Sequence, residues 1–318
     1  MAKKFLCIVL VVGLFIGLGS VSLAQDKVKL GTSVRTFHPN YLPPLTAEEK
    51  GFWKENGLDV EWVPFSGAVP AMQAVAGGAI NIGSMPADTI MRAAERGLPV
   101  VMVSDLALSS SFNLYVRAES PYRDARDLKG TRIGVTTLGG GTHMVSRIIF
   151  SALGMEKDVR FVGAGGATEA VAGLRSGGFE VLSTRLGTVL DLKLQGILRE
   201  VAAGSDYLPK PWIDTVMYAR KDFGKGKPEV VRKELKAILQ STDFIQKNPR
   251  WTMDKMKSFQ GVSEEAAKLL YEDTKFSATG RLDRQAVENA RKVYVQYGIL
   301  TEKAPSVDEL FTNEYLPS

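Results

Sequence analysis

The sequence predicts an α/β protein shaped as a two-lobed clamshell with two hinge strands. Three observations lead there. Apolar strand segments alternate with amphipathic helical segments through most of the chain, as in parallel-rich sheets covered by helices. The pattern runs twice, displaced by 100 residues: Gly77-Gly78 recurs as Gly177-Gly178, and the hydroxyl of Ser84 recurs as Thr184. Two similar extended segments, Phe112–Arg117 and Asp214–Arg220, flank the second pass; if both cross between the lobes, the second lobe is an insertion into the first with two hinge strands.

The elements follow in order. Residues 1–24 read as a signal peptide: Lys3 and Lys4, an uncharged apolar run from Phe5 to Leu18, then Ser22-Leu23-Ala24, with cleavage expected after Ala24; an uncleaved membrane anchor is the rival reading. Val28–Ser33 reads as a strand and Ala47–Lys54 as a helix stopped by Asn56-Gly57. Leu58–Phe65 is a strand. Ser66-Gly67 opens a helix with Val69, Met72, Val75 and Ala76 on one face. Ala79–Gly83 is a strand, after which Ser84 is expected to cap a helix carrying Pro86 in its first turn. Pro99–Val103 completes the first pass.

The second pass gives strands at Arg132–Thr136, Val159–Val162 and Phe179–Leu182, with helices entered through Gly139–Thr142 and through Gly163–Gly166. From Lys227 the tail reads as helical, over Val230–Lys247, Ser263–Tyr271 and Asp283–Tyr297. The domain reading is therefore 25–115 for the first part of lobe 1, 116–216 for lobe 2 and 217–318 for the return to lobe 1.

Composition excludes several function classes. At 45% hydrophobic and 24% charged, the chain is neither disordered nor fibrous. The net charge of +5 falls to +3 without Lys3 and Lys4, and no dense basic run is interleaved with aromatics. Nucleic acid is not expected as a partner. The single cysteine, Cys7, lies in the leader, so the exported chain has no disulfide and must rely on its core. There is no Gly-x-Ser-x-Gly elbow, no His-Glu-x-x-His and no cysteine nucleophile, so no catalytic residue is expected. Two histidines without a nearby carboxylate or cysteine pattern predict no metal site, and no cofactor is expected.

Four stretches carry a family resemblance: "EKGFWKENGLDVEWVPF", "MQAVAGGAINIGSMPADTIMRAAERGLPVVMV", "RAESPYRDARDLKGTRIGV" and "VMYARKDF". The sequence resembles the periplasmic solute-binding proteins of ABC importers, in the nitrate, sulfonate, taurine and thiamine-precursor branch of the type 2 periplasmic binding fold. The resemblance implies a soluble monomer outside the cytoplasm that captures a small solute between two lobes and hands it to an ABC permease. A thiamine-pyrimidine synthase shares the fold but relies on a cysteine-rich motif that this chain lacks. An exported small-acid lyase or dehydratase and a solute-binding partner of a signalling receptor are the alternatives.

Ligands of open α/β sheets bind beyond the carboxyl ends of the strands, where helix N-termini favour anions. The candidate ligand-binding residues lie in such loops: Arg35, Phe37 and His38; Ser66 and Gly67; Ser84 and Met85; Gly141, Thr142 and His143; Gly165; Thr184 and Arg185; and Trp212 near the second hinge. The serines and threonines also read as plain helix caps, and the aromatics as packing. Arg185 stands where the family commonly shows a small or apolar residue. Its planar fork suits a carboxylate or sulfonate, which points to a small organic anion. A solvated arginine or an interlobe salt bridge is the other reading of Arg185.

Overall fold

The computed structural model describes residues 25–32, 41–65, 68–107 and 112–317. The leader, including the expected cleavage site, lies outside them. The strands are β1 (Asp26–Thr32), β2 (Leu58–Pro64), β3 (Ile82–Pro86), β4 (Val100–Ala107), β5 (Phe112–Arg117), β6 (Arg132–Val135), β7 (Arg160–Gly163), β8 (Val181–Arg185), β9 (Leu198–Ala202) and β10 (Thr215–Arg220). The helices are α1 (Leu42–Lys50), α2 (Phe52–Glu55), α3 (Ala68–Ala76), α4 (Ala87–Glu95), α5 (Gly141–Ala152), α6 (Ala167–Arg175), α7 (Leu186–Leu194), α8 (Lys221–Gly226), α9 (Pro228–Lys247), α10 (Pro249–Gln260), α11 (Glu264–Asp273), α12 (Arg284–Gln296) and α13 (Val307–Leu310).

The strands form two five-stranded sheets with orders β2-β1-β3-β10-β4 and β7-β6-β8-β5-β9. The orders are equivalent, which gives the repeat a structural meaning. In each sheet three strands of one pass run parallel, and the fourth neighbour is an antiparallel strand brought from the other connection. Sequence reading expected β5 and β10 to span the lobes. Instead each lies wholly within one sheet and pairs on both edges, as Leu114 does with Ser183 and Ala202. Such pairing satisfies the backbone of the strand inside its own sheet. The chain passes from the first sheet to the second between β4 and β5 and returns between β9 and β10, through 203–214.

Apolar spacing explains the layers. On α9, Val231, Leu235 and Ile238 share one face and pack on Val28, Leu30, Ile82 and Met217 of the first sheet. Pro228 opens that helix at a position where no N–H is required. Tyr115, Leu182 and Leu198 of the second sheet pack with Leu174 of α6 and Val189 of α7. A further buried cluster runs through both lobes, joining Met85 and Ile90 to Leu114, Ile133 and Ile149 by way of Ile213 and Tyr294. Leu186 and Leu190 of α7 meet Ile245, Met256 and Leu270 of the C-terminal helices.

Two boundaries differ from expectation for the same reason. β3 starts three residues late and runs through Ser84 to Pro86, because β10 pairs along it from Thr215↔Pro86 to Ala219↔Ile82. β8 likewise runs on to Arg185 under its pairing with Phe112. Ser84 is therefore not a helix cap; Pro86 holds that position on α4 and makes no side-chain cap.

Candidate functional site

A cavity of about 190 Å³ lies between the two sheets, beyond the ends of β3 and β8. Pro86, Asp88 and Thr89, at the start of α4, form one wall. Gly141, Met144 and Val145 from α5 form another. Arg185 is the N-cap residue of α7. Phe112 starts β5, while Leu208, Trp212 and Asp214 come from the 203–214 crossing. Tyr294 of α12 and Ile299 close the far side. Three helix starts thus converge on the cavity from both sheets, where unpaired N–H groups and the helix dipole favour negative charge. A cavity of roughly 150 Å³ holds a benzene-sized body, so the scale here is that of a small solute.

Arg185 is the central cation. Its Nη2 lies 3.3 Å from Asp214 Oδ1 and its Nη1 lies 3.4 Å from Oδ2. The guanidinium also sits 4.3 Å from the ring centre of Phe112. Since Asp214 directly precedes β10 of the first sheet and Arg185 ends β8 of the second, the pair ties the lobes together. Phe112 can lie where it does because residue 141 is glycine: a Cβ there would come within 2.8 Å of the ring. Asp214 does a second job, its carbonyl accepting the Ala87 N–H at 2.7 Å as α4 begins.

Two carboxyls near this pair are held off their ordinary behaviour. Burial pushes Asp88 above the usual carboxylate range; Arg92, whose Nη2 donates at 2.6 Å, opposes the rise, and the Asp214 charge adds to it. Burial, with repulsion from Asp214, pushes Asp105 of β4 up to about 7. Its Oδ1 finds no hydrogen-bond partner among the described residues. Tyr294 is raised well above the ordinary tyrosine value by burial and then by Asp88 and Asp214.

Of the residues singled out from sequence, Gly141, Arg185 and Trp212 line the cavity together. Arg35, Phe37, His38, Ser66 and Gly67 lie outside the described residues. Ser84 and Met85 are fully buried in β3, where Met85 belongs to the core. Thr184 is buried opposite Asn113 in the β5–β8 ladder. The Thr142 hydroxyl is buried and accepts from the Thr136 N–H at 3.0 Å, so it locks the turn before α5. His143 accepts from the Gly139 N–H through Nδ1 at 2.9 Å and packs on Phe161. Gly165 takes φ +93 and donates to Thr136 at 3.0 Å, which fits glycine's freedom in that region. Sequence reading missed Asp88, Thr89, Phe112, Asp214 and Tyr294. Asp214 carried a readable signal as the first residue of the extended segment expected at Asp214–Arg220; Asp88 did not, since it stands two residues beyond an observed β3 that runs three residues past its expected end.

The family model described as NMT1/THI5 like matches residues 38–251. The chain belongs to the NMT1/THI5-like family. Within its curated relatives, a protein of Brucella abortus (strain 2308) named as a binding protein is 26% identical over 221 residues, 69% of this chain and 67% of its own length. The 4-amino-5-hydroxymethyl-2-methylpyrimidine phosphate synthase THI5 of Saccharomyces cerevisiae is 27% identical over 228 residues, 66% of this chain and 65% of that one. The fold matches the periplasmic aliphatic sulphonate binding protein SsuA of Escherichia coli with a TM-score of 0.76 at 13% identity, covering 89% of this chain and 91% of that one. The two-lobed periplasmic binding fold expected from sequence is therefore the fold of this NMT1/THI5-like chain. Among its described residues no helix is long and apolar enough to cross a membrane.

Proposed function

We propose that this protein is an extracytoplasmic solute-binding protein that closes on a small, acidic organic solute and delivers it to an ABC-type permease as a monomer. The working lobes are those read from sequence, with β5 and β10 assigned to the sheets they enter. The observation that carries the reading is the cavity between the sheets, with walls from both lobes and from the 203–214 crossing. A solute held there touches both halves, so it favours the closed arrangement by contacts that the open one lacks. The starts of α4 and α5 and the Arg185 fork supply donors for an acidic group, although Arg185 must share its fork with Asp214. Membership in a family whose relatives include a named binding protein, and a fold shared with SsuA, support the same reading.

A thermal-shift screen against small organic acids, sulfonates and neutral controls tests it. A ligand at 100 times its Kd stabilises by about 2.7 kcal/mol. Stabilisation by some of the acids supports the reading, and no stabilisation by any small molecule sinks it. The likeness to the yeast synthase carries a second reading, an enzyme on the same fold. Turnover of a stabilising hit would favour that one.

A further inference from the structure

A second recess, of about 350 Å³, lies between α3 and α4 of the first lobe. It backs onto the interlobe cavity, and Thr89 lines both spaces. Its floor is apolar: Met72 and Ala76 come from α3, Ala93 from α4, and Leu98 from just beyond α4. Its rim is cationic. Arg92 and Arg96 stand one turn apart on α4, so they share a side of the helix. No carboxylate is among the described residues that line it.

The acidic residues nearest in sequence are engaged elsewhere. Glu95 accepts from the Thr301 N–H at 2.6 Å and from its hydroxyl at 2.7 Å. Asp88, which lines the interlobe cavity, accepts from Arg92 Nη2 at 2.6 Å. That bond uses one donor of the Arg92 fork, and the side chain remains 32% exposed, so the rest of the fork can take a second acid. Arg96 is exposed and makes no ion pair among the described residues. Like charges one turn apart repel, and an anion between them removes the repulsion. An inorganic anion would leave the apolar floor in water, and a neutral chain would leave the arginines unused. A single acidic head on an alkyl chain uses both.

We propose that the α3–α4 recess is a second binding site, for a medium-chain alkyl carboxylate whose head lies between Arg92 and Arg96 and whose chain covers Met72, Ala76, Ala93 and Leu98. Arg92 then serves two acids at once. Its hold on Asp88 weakens, and the Asp88 charge stands less compensated in the interlobe cavity, where the solute-binding reading places an acidic solute. The two ligands oppose each other, each weakening the other by the same factor.

Methionine-methyl NMR separates the sites, because Met72 lines the recess and Met144 lines the interlobe cavity. With the two signals assigned from Met72→Leu and Met144→Leu, octanoate is expected to shift Met72 along a saturating curve. Octanol should bind there about five- to twentyfold more weakly, a modest ratio because both arginines are partly or fully exposed. Arg96→Gln should weaken octanoate about three- to tenfold and leave octanol as it was. Asp88→Asn should tighten octanoate about threefold or more, since Arg92 is no longer shared. A damaged fold would instead weaken octanoate and octanol together. One arm rests on the solute-binding reading: saturating octanoate should weaken the best acid of the thermal-shift screen about five- to tenfold, and Asp88→Asn should abolish most of that effect. The site is overturned if octanoate leaves Met72 unmoved or moves only Met144, if octanol matches octanoate, or if Arg96→Gln and Asp88→Asn both keep the parent affinity. An unchanged solute Kd with the recess filled overturns the opposition between the sites. A screen that returns no acid overturns the solute-binding reading, while Met72 still decides the recess.

Discussion

Glu234, on the sheet-facing side of α9, is buried to the last atom, and neither of its carboxyl oxygens meets a hydrogen-bond partner among the described residues. Burial alone pushes its pKa up from 4.5 to about 8. The folded state therefore holds the proton more tightly than the unfolded chain. Its contribution to stability is full below pH 4.5 and is lost as pH rises toward and through about 8. Asp105, pushed up to about 7, acts in the same direction from pH 3.8. Glu234→Leu is expected to raise stability by about 1–3 kcal/mol at pH 8 and to flatten the fall between pH 5 and 8, because an unpartnered polar group leaves the core. Urea denaturation of both proteins across that range checks it, and parallel curves would remove Glu234 as the cause. Arg185 poses the complementary case at the cavity. Arg185→Ala should weaken binding of an acidic solute by about 2–5 kcal/mol, since both the solute and Asp214 lose their partner, and Arg185→Lys should recover only part. Calorimetry that finds parent affinity in Arg185→Ala would make the pair purely structural. From sequence, Arg185 was legible as a fork at a strand end. Its partner was not, because Asp214 lies 29 residues away, after a crossing whose path no local pattern reveals.

The strands were legible where apolar runs ended in turn-forming glycines, so β1, β2, β5 and β6 fall within two residues of their expected limits. Others were not. The apolar residues of α7 face both its own sheet and the C-terminal helices, which blurs the one-sided helical stripe, and α10 is too polar to announce itself. Missing too was the reason for the glycines inside strands. Gly31 and Gly83 stand opposite each other in the β1–β3 ladder, under the Tyr218 ring. A Cβ on Gly83 would come within 2.2 Å of the Gly31 carbonyl oxygen and 2.9 Å of the Tyr218 hydroxyl. Gly134 of β6 has the same role in the other sheet, its missing Cβ leaving room for the Phe179 ring at 2.1 Å. Backbone cannot retreat within a ladder, whereas a ring can turn slightly. Gly83→Ala is therefore expected to cost more than Gly134→Ala, which overpacking alone sets at about 1–3 kcal/mol. Thermal melts of the two variants test the ranking, and equal losses would show that the β1–β3 ladder yields as easily as a side chain.

At the scale of the whole molecule, the question is what holds the lobes together and how a solute would use it. In the described arrangement the lobes meet: an apolar cluster passes through both, α7 packs on the C-terminal helices, and the Arg185–Asp214 pair bridges the cavity. A fourth tie lies at the cavity's outer edge. Arg147 of α5 donates through Nη1 to the Tyr297 carbonyl at 3.0 Å and stacks at 5.0 Å from the Tyr297 ring, while its Nε donates to Glu156 at 2.6 Å. Tyr297 follows α12, which packs on α4 of the first lobe, so this contact exists only when the lobes meet. It touches no cavity-lining polar group, which separates closure from recognition. Removing it should leave the intrinsic fit of the solute intact and lower the fraction of molecules in the closed state, and the apparent affinity falls by that fraction. Arg147→Ala removes one hydrogen bond and one cation–π contact, together worth about 1–2 kcal/mol, so a Kd about five- to thirtyfold weaker is expected. The radius of gyration without ligand should rise, and saturating ligand should bring it back to the parent's bound value. Small-angle scattering paired with calorimetry separates the possibilities: unchanged scattering and unchanged affinity in Arg147→Ala would mean that the lobes are held by the apolar clusters alone and that the solute does not work against an open–closed balance at this edge.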